Sequence, residues 1–261
     1  MLEHVVVGVD HSSVTDRLVQ ELQRLPRLGV KRVTLVTVLG GHYPNVPQEL
    51  HRDHFVAELE QTAARLSGFE TSCEVRTGYP ASQLCEAADE SGADVIVVGS
   101  HGHTPWRDLF LGSTVLELVR TSRKPILLLP LGPDHIERGG GVLLATDGSP
   151  SAAAAEQLAL ALGEKLGGTA VTVVARLDDA EAEERALAHL EQLVASSSLS
   201  SGVEHGPLPE TIGTLADEQA IDVIVVGARG RNPLTGLLLG STAEHLLRTA
   251  NRPVLLVPGT R

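Results

Sequence analysis

The chain has 261 residues, enough for one large domain or two of ordinary size. Hydrophobic residues make up 42% and aromatics 2%, so the core must be aliphatic, and 21 Lys and Arg stand against 33 Asp and Glu, a formal charge of -12. This balance argues against nucleic acid or an anionic membrane as partner, because counterion release needs a basic face, but leaves room for a small anion that needs only local positive potential.

The opening "MLEHVVVGVD" runs straight into a short apolar stretch, without the basic segment and longer apolar core of a secretory leader. No apolar run approaches the ~20 residues of a membrane span. Cys73 and Cys85 show no metal-ligand spacing and read as free thiols. These features set the expectation of a cytoplasmic protein.

Strands are expected over Val5–Val9, Arg32–Val38, Thr71–Arg76, Val95–Gly99 and Pro125–Leu129, with helices over Thr15–Leu25, Pro47–Leu66, Ala81–Ser91 and Ser113–Arg120 between them. The runs "VVVGV", "VIVVG" and "PILLL" are apolar on both faces, as strands covered by helices on both sides are. A linker is expected near residues 131–140. Beyond it, strands are expected over Val142–Ala145, Ala170–Ala175, Gly202–Glu204, Val223–Val226 and Pro253–Val257. Ser149 and Pro150 read as the cap and first turn of an Ala-rich helix. The acidic run at 177–185 reads as the N-terminal turn and exposed face of another.

The second half repeats the first. "DVIVVGSHGHTPWRDLFLGSTVLELVRTSRKPILLLP" (94–130) aligns without a gap on "DVIVVGARGRNPLTGLLLGSTAEHLLRTANRPVLLVP" (222–258), and "HVVVGVDHSS" (4–13) resembles "GVLLATDGSP" (141–150). The chain is therefore expected to form two tandem domains, residues 1–136 and 137–261. Alternating strands and helices predict right-handed crossovers and a doubly wound α/β fold in each.

Both copies carry Gly-x2-Gly-x9-Gly-Ser: Gly99, Gly102, Gly112 and Ser113, then Gly227, Gly230, Gly240 and Ser241. The first glycine ends a strand, the second lies in the following loop, and the third opens a helix. Glycine permits positive φ and lets a ligand approach the backbone. A helix start offers unpaired N–H groups and a positive dipole end. The repeated spacing reads as a phosphate cradle built twice. It is neither the dinucleotide-binding Gly-x-Gly-x-x-Gly nor a Walker loop, which requires Gly-Lys-Ser/Thr.

With these motifs, the first-strand Asp of each copy and the closing strands "KPILLLP" and "RPVLLVP", the chain resembles the universal stress protein family in its tandem form. The resemblance implies a five-stranded parallel sheet of order 3-2-1-4-5 in each domain, with helices on both faces. It implies ATP, with Mg²⁺ accompanying the nucleotide, held by Asp10, Val38, Gly99, Gly102, Gly112, Ser113 and Thr114 in the first copy. In the second it implies Asp147, Gly227, Gly230, Gly240, Ser241 and Thr242, while Arg176 stands where the first copy has Val38 and could stack on the base or fill its place. The family's fifth strand commonly mediates dimer contacts, which implies pairing of the halves and association of two chains.

From local sequence Asp10 and Asp147 read two ways, as a turn or helix cap or as a contact to a nucleoside in the cleft. His101, Arg229 and Arg231 read as phosphate contacts or as solvated loop residues, and Trp106 as packing, a lid or a partner contact. His51 with His54 and His101 with His103 lack a third ligand at metal spacing, so no resident metal site is expected. The function expected is ATP-dependent stress-response regulation through conformation or partner binding. The alternatives are a nucleotide-free interaction scaffold and a slow ATPase. No catalytic residue is assigned, since no Walker lysine or evident general base is present.

Overall fold

The computed structural model describes residues 2–11, 14–40, 48–100, 111–132, 138–166, 169–173, 180–195, 200–203, 208–228 and 239–259. The chain divides into two units, Met1–Leu131 and Gly132–Arg261. The expected boundary at 136/137 lies outside the described residues.

In the first unit, β1 (His4–Gly8) leads to α1 (Thr15–Leu22), β2 (Arg32–Leu39), α2 (Gln48–Ala64) and β3 (Glu70–Thr77). Then follow α3 (Pro80–Glu90), β4 (Val95–Gly99), α4 (Ser113–Thr121) and β5 (Ile126–Leu129). The strand order is β3-β2-β1-β4-β5. The pairs β1–β2, β1–β4, β2–β3 and β4–β5 are all parallel. The double-sided apolar runs explain this layering: Val5, Val6, Val7, Val95, Ile96 and Val97 are completely buried. The first helix is shorter than its apolar pattern predicts. It stops at Leu22, and a 3-10 turn over Leu25–Leu28 completes the segment, because Pro26 cannot donate the backbone bond that an α-helix would need there.

The second unit repeats the plan. It runs β6 (Val142–Ala145), α5 (Ala153–Leu166), β7 (Thr169–Val173), α6 (Ala180–Ala195) and β8 (Ser200–Val203). Next come α7 (Leu208–Glu218), β9 (Val223–Gly227), α8 (Ser241–Thr249) and β10 (Val254–Val257). Its strands follow the order β10-β9-β6-β7-β8, the same 3-2-1-4-5 arrangement, and are parallel. The strand expected over Gly202–Glu204 begins earlier, at Ser200.

The Asp that opens each duplicated block has a structural task. Asp94 Oδ2 accepts from the backbone N–H of Glu3 (2.8 Å) and His4 (3.0 Å), and Asp222 Oδ2 accepts from Gly141 N–H (3.1 Å). Each ties the start of the first strand to the start of the fourth, at the end opposite the glycine loops. Among the described residues no helix is long and apolar enough to cross a membrane.

Candidate functional site

With right-handed crossovers, an order of 3-2-1-4-5 sends the chain from β1 and from β4 toward opposite faces, and a crevice opens beyond their carboxyl ends. In the first unit Val5 pairs with Val95 and Val7 with Val97, so the Asp10 loop leaves the sheet beside the exit of β4 at Gly99. Asp10 is exposed. Val38 lies on β2, half-buried, after Thr37. Gly112 is the N-cap of α4, and exposed Ser113 and half-buried Thr114 form its first turn. In the second unit Leu144 pairs with Val225 and Ala145 with Val226, which brings Asp147 and Gly227 to the same switch point. Gly240, Ser241 and Thr242 open α8 there.

Gly112 has φ -56° and ψ 144°, and Gly240 has φ -70° and ψ 145°. Both conformations are open to any residue. Positive φ is therefore not why glycine stands at either position. Among the described residues nothing lies within 4 Å of a Cβ built at Gly112, so their packing does not require glycine there either. What the missing side chain leaves is room at a helix start that the N-cap residue itself does not cap: among the described residues neither α4 nor α8 has a side-chain hydrogen bond at its N-cap. The first intrahelical donors are Leu116 N–H to Gly112 O (3.0 Å) and Glu244 N–H to Gly240 O (2.9 Å). The N–H groups of Ser113, Thr114, Ser241 and Thr242 precede them, where a helix has no internal acceptors to offer. That arrangement suits an anion such as phosphate.

The two first-strand acids stand in different surroundings. Asp147 Oδ1 accepts from Ser149 N–H (3.0 Å), so the turn reading holds for this oxygen. Ser149 occupies the expected cap position, but the helix begins as a 3-10 turn over Pro150–Ala152, and its hydroxyl pairs with Ser151 Oγ (2.9 Å) instead of capping a backbone N–H. Gly102, His101, His103 and Trp106 of the first copy, and Arg176, Arg229, Gly230 and Arg231 of the second, lie outside the described residues.

Sequence reasoning missed the polar groups beneath these loops. In the first unit His11 lies between Thr37 Oγ1 (Nε2, 2.7 Å) and Glu58 Oε2 (Nδ1, 3.0 Å). Burial is the main cause lowering its pKa, against the pull of Glu58 and Asp10. In the second unit the buried Glu156 accepts from Thr146 Oγ1 (2.6 Å) and pairs with His189 Nε2 (3.0 Å), and Thr146 Oγ1 accepts from Gly148 N–H (3.1 Å). Glu156 was detectable: it falls on the inward stripe of Ala152, Ala155, Ala159 and Leu162, where a carboxylate requires partners. His11 was marked only by standing where the second copy has Gly148. Among the described residues no group of three or more His, Cys, Asp or Glu is placed to hold a metal ion.

The universal stress protein family profile matches residues 1–130 and again 141–258. The chain is 25% identical over 287 residues to a universal stress protein of Mycolicibacterium smegmatis, covering 97% of this chain and 96% of that one. It is 27% identical over 290 residues to one from Mycobacterium tuberculosis, with the same coverage of 97% and 96%. The crystal structure of a universal stress protein from Archaeoglobus fulgidus superposes with a TM-score of 0.75 at 20% identity, covering 99% of this chain and 97% of that one.

Proposed function

The chain belongs to the universal stress protein family, with the family's domain present twice, and from that premise we propose that it binds ATP with Mg²⁺ and acts as a nucleotide-dependent stress-response regulator through conformation or partner affinity. The observation that carries this reading is the state of Gly112. It has an ordinary backbone conformation and, among the described residues, nothing near its Cβ, at a helix start with a glycine N-cap beside the exits of β1 and β4. A fold with no ligand to admit would tolerate a side chain there. In this reading the backbone N–H groups and hydroxyls of Ser113, Thr114, Ser241 and Thr242 hold phosphate. Gly99, Gly102, Gly227 and Gly230 keep the loops open to it. Asp10, Val38 and Asp147 face the nucleoside, and Mg²⁺ accompanies the phosphates and supplies charge neutralisation. The intact glycines in both copies support this over a nucleotide-free scaffold.

The proposal includes association of two chains through a closing strand, residues 125–129 or 253–257. Each of these strands is apolar and ends its unit's strand order, so each has an edge that must be covered. Sedimentation at two concentrations tests the association of chains.

The test of nucleotide binding is a thermal shift with millimolar MgATP. Ligand at about 100 times its dissociation constant stabilises the fold by about 2.7 kcal/mol per independent site. Gly112→Val should stay within a few degrees of the parent's midpoint without nucleotide, since its φ and ψ suit valine and the main cost is the poorer N-cap that valine makes. It should lose the shift contributed by the first site. A variant that folds and responds to ATP like the parent would remove Gly112 from the site.

A further inference from the structure

We propose that His11 is a positioning residue of the first unit: it clasps the Asp10 loop to β2 and to α2 through Thr37 and Glu58. The backbone gives the first reason. His11 has φ +52°, in the left-handed region that residues bearing a Cβ seldom occupy, so its side-chain contacts help to keep it there.

The hydrogen bonds supply the second. Nε2 lies 2.7 Å from Thr37 Oγ1 and Nδ1 lies 3.0 Å from Glu58 Oε2, so both polar edges of the ring are spent on the protein. Thr37 Oγ1 is also 3.2 Å from the Val9 carbonyl, and it has one hydrogen to give. With His11 neutral, Nδ1–H donates to Glu58 and Nε2 accepts from Thr37. With His11 protonated, both nitrogens donate and Thr37 turns its hydrogen to Val9. The clasp closes in either state. The charged and titratable groups around it are Asp10 on its own loop and Glu58 and His54 on α2, with His54 Nε2 3.4 Å from Glu58 Oε1. Phe55 covers the imidazole with ring centroids 5.1 Å apart, and the His11 side chain is only 14% exposed. It therefore acts on a ligand through its neighbour Asp10.

The duplication provides a control. Gly148 stands where His11 does, with φ +65°. The second unit makes the same turn without a side chain, so His11 is not needed to form the turn; its role is to hold the turn against α2. In the second unit the histidine comes from the helix instead: a Cβ at Gly148 would lie 3.2 Å from His189 Cδ2. The assignment of Asp10 to a nucleoside rests on the reading above, whereas the clasp does not.

The test uses the full chain with Gly240→Val, so that ATP titration reports the first site. His11→Gly takes the residue that the second copy already uses, and Glu58→Ala opens the clasp from a half-exposed position on α2. Both should leave the thermal midpoint within a few degrees of the parent. Both should speed hydrogen exchange at the Val9 amide, which is bonded to Val36 O (2.9 Å), and along residues 52–60 of α2, by about tenfold or more. His11→Gly should weaken ATP about tenfold, yet add nothing to the loss caused by Asp10→Ala, because a positioning residue acts through its partner. Unchanged exchange in both variants would overturn the clasp, and so would affinity losses that add. If His11→Gly does not fold, Glu58→Ala decides by the same readouts. If the parent binds no ATP, the nucleotide reading falls and the exchange measurement alone decides the clasp.

Discussion

Among the described residues, Gly112 meets neither of the usual structural reasons to be a glycine, since its backbone is extended and none of them lies near its Cβ position. Gly148, by contrast, needs φ +65° and sits under His189. Two glycines that look alike in a sequence thus answer different demands, and only the first reads as a vacancy kept for a ligand. The histidines carry a second prediction. His4 and His11 both have pKa values below the ordinary 6.5, in each case with burial as the largest cause. The unfolded chain therefore takes up these protons first. The stability their neutral forms contribute is fully present above about pH 6.5 and is lost as pH falls through the lowered native values. Urea midpoints should drop between pH 7.5 and 5.5, and a His4→Gln, His11→Gly double variant should show a smaller drop. An equal drop in both proteins would assign the acid sensitivity to other titrating groups.

At the scale of elements, the boundaries follow chemistry that periodicity does not register. The first helix yields to a 3-10 turn at Pro26, and α5 is preceded by one at Pro150. The closing strand of the second unit is anchored by an arginine that its apolar pattern gives no cause to notice. Arg252 is 4% exposed; Nε donates to Asp217 Oδ1 (2.8 Å), and its other nitrogens donate to the carbonyls of Ile221 (3.0 Å) and Asp217 (3.3 Å). It joins the start of β10 to the end of α7 and to the segment entering β9. Arg252→Ala leaves the buried Ile221 carbonyl without its donor, while the half-exposed Asp217 carboxylate turns to water, and should cost roughly 2 kcal/mol. Chemical denaturation followed by exchange protection of β10 measures this, and a loss under about 1 kcal/mol would show that the network contributes little. The first copy has the half-buried Lys124 at the matching position, so the corresponding Lys124→Ala should cost less.

Across the whole molecule, the two halves share a frame but brace their first-strand loops differently. The first holds its loop by His11, Thr37 and Glu58, and the second by Asp147, Thr146, Glu156 and His189. The loop charges differ as well, with His101 and His103 in one copy and Arg229 and Arg231 in the other. Arginine stays protonated at neutral pH, whereas unperturbed histidine is mostly neutral. Calorimetric titration of Gly112→Val and Gly240→Val separately should therefore give different ATP affinities, with a steeper salt dependence for the second site. Identical affinities and slopes would show the sites to be equivalent. The sequence by itself determined the duplication, the parallel α/β fold and the positions of the glycine loops. These rest on local rules: strands buried on both faces must be apolar throughout, and strand-to-helix turns recur at fixed spacing. Only the tertiary structure decided which glycines are conformational and which leave room, that Asp147 serves its own turn, and that a histidine and a helix carboxylate brace each first-strand loop. Those facts depend on contacts between residues far apart in the chain, such as His11 with Glu58 and Glu156 with His189, and no local pattern encodes such a meeting.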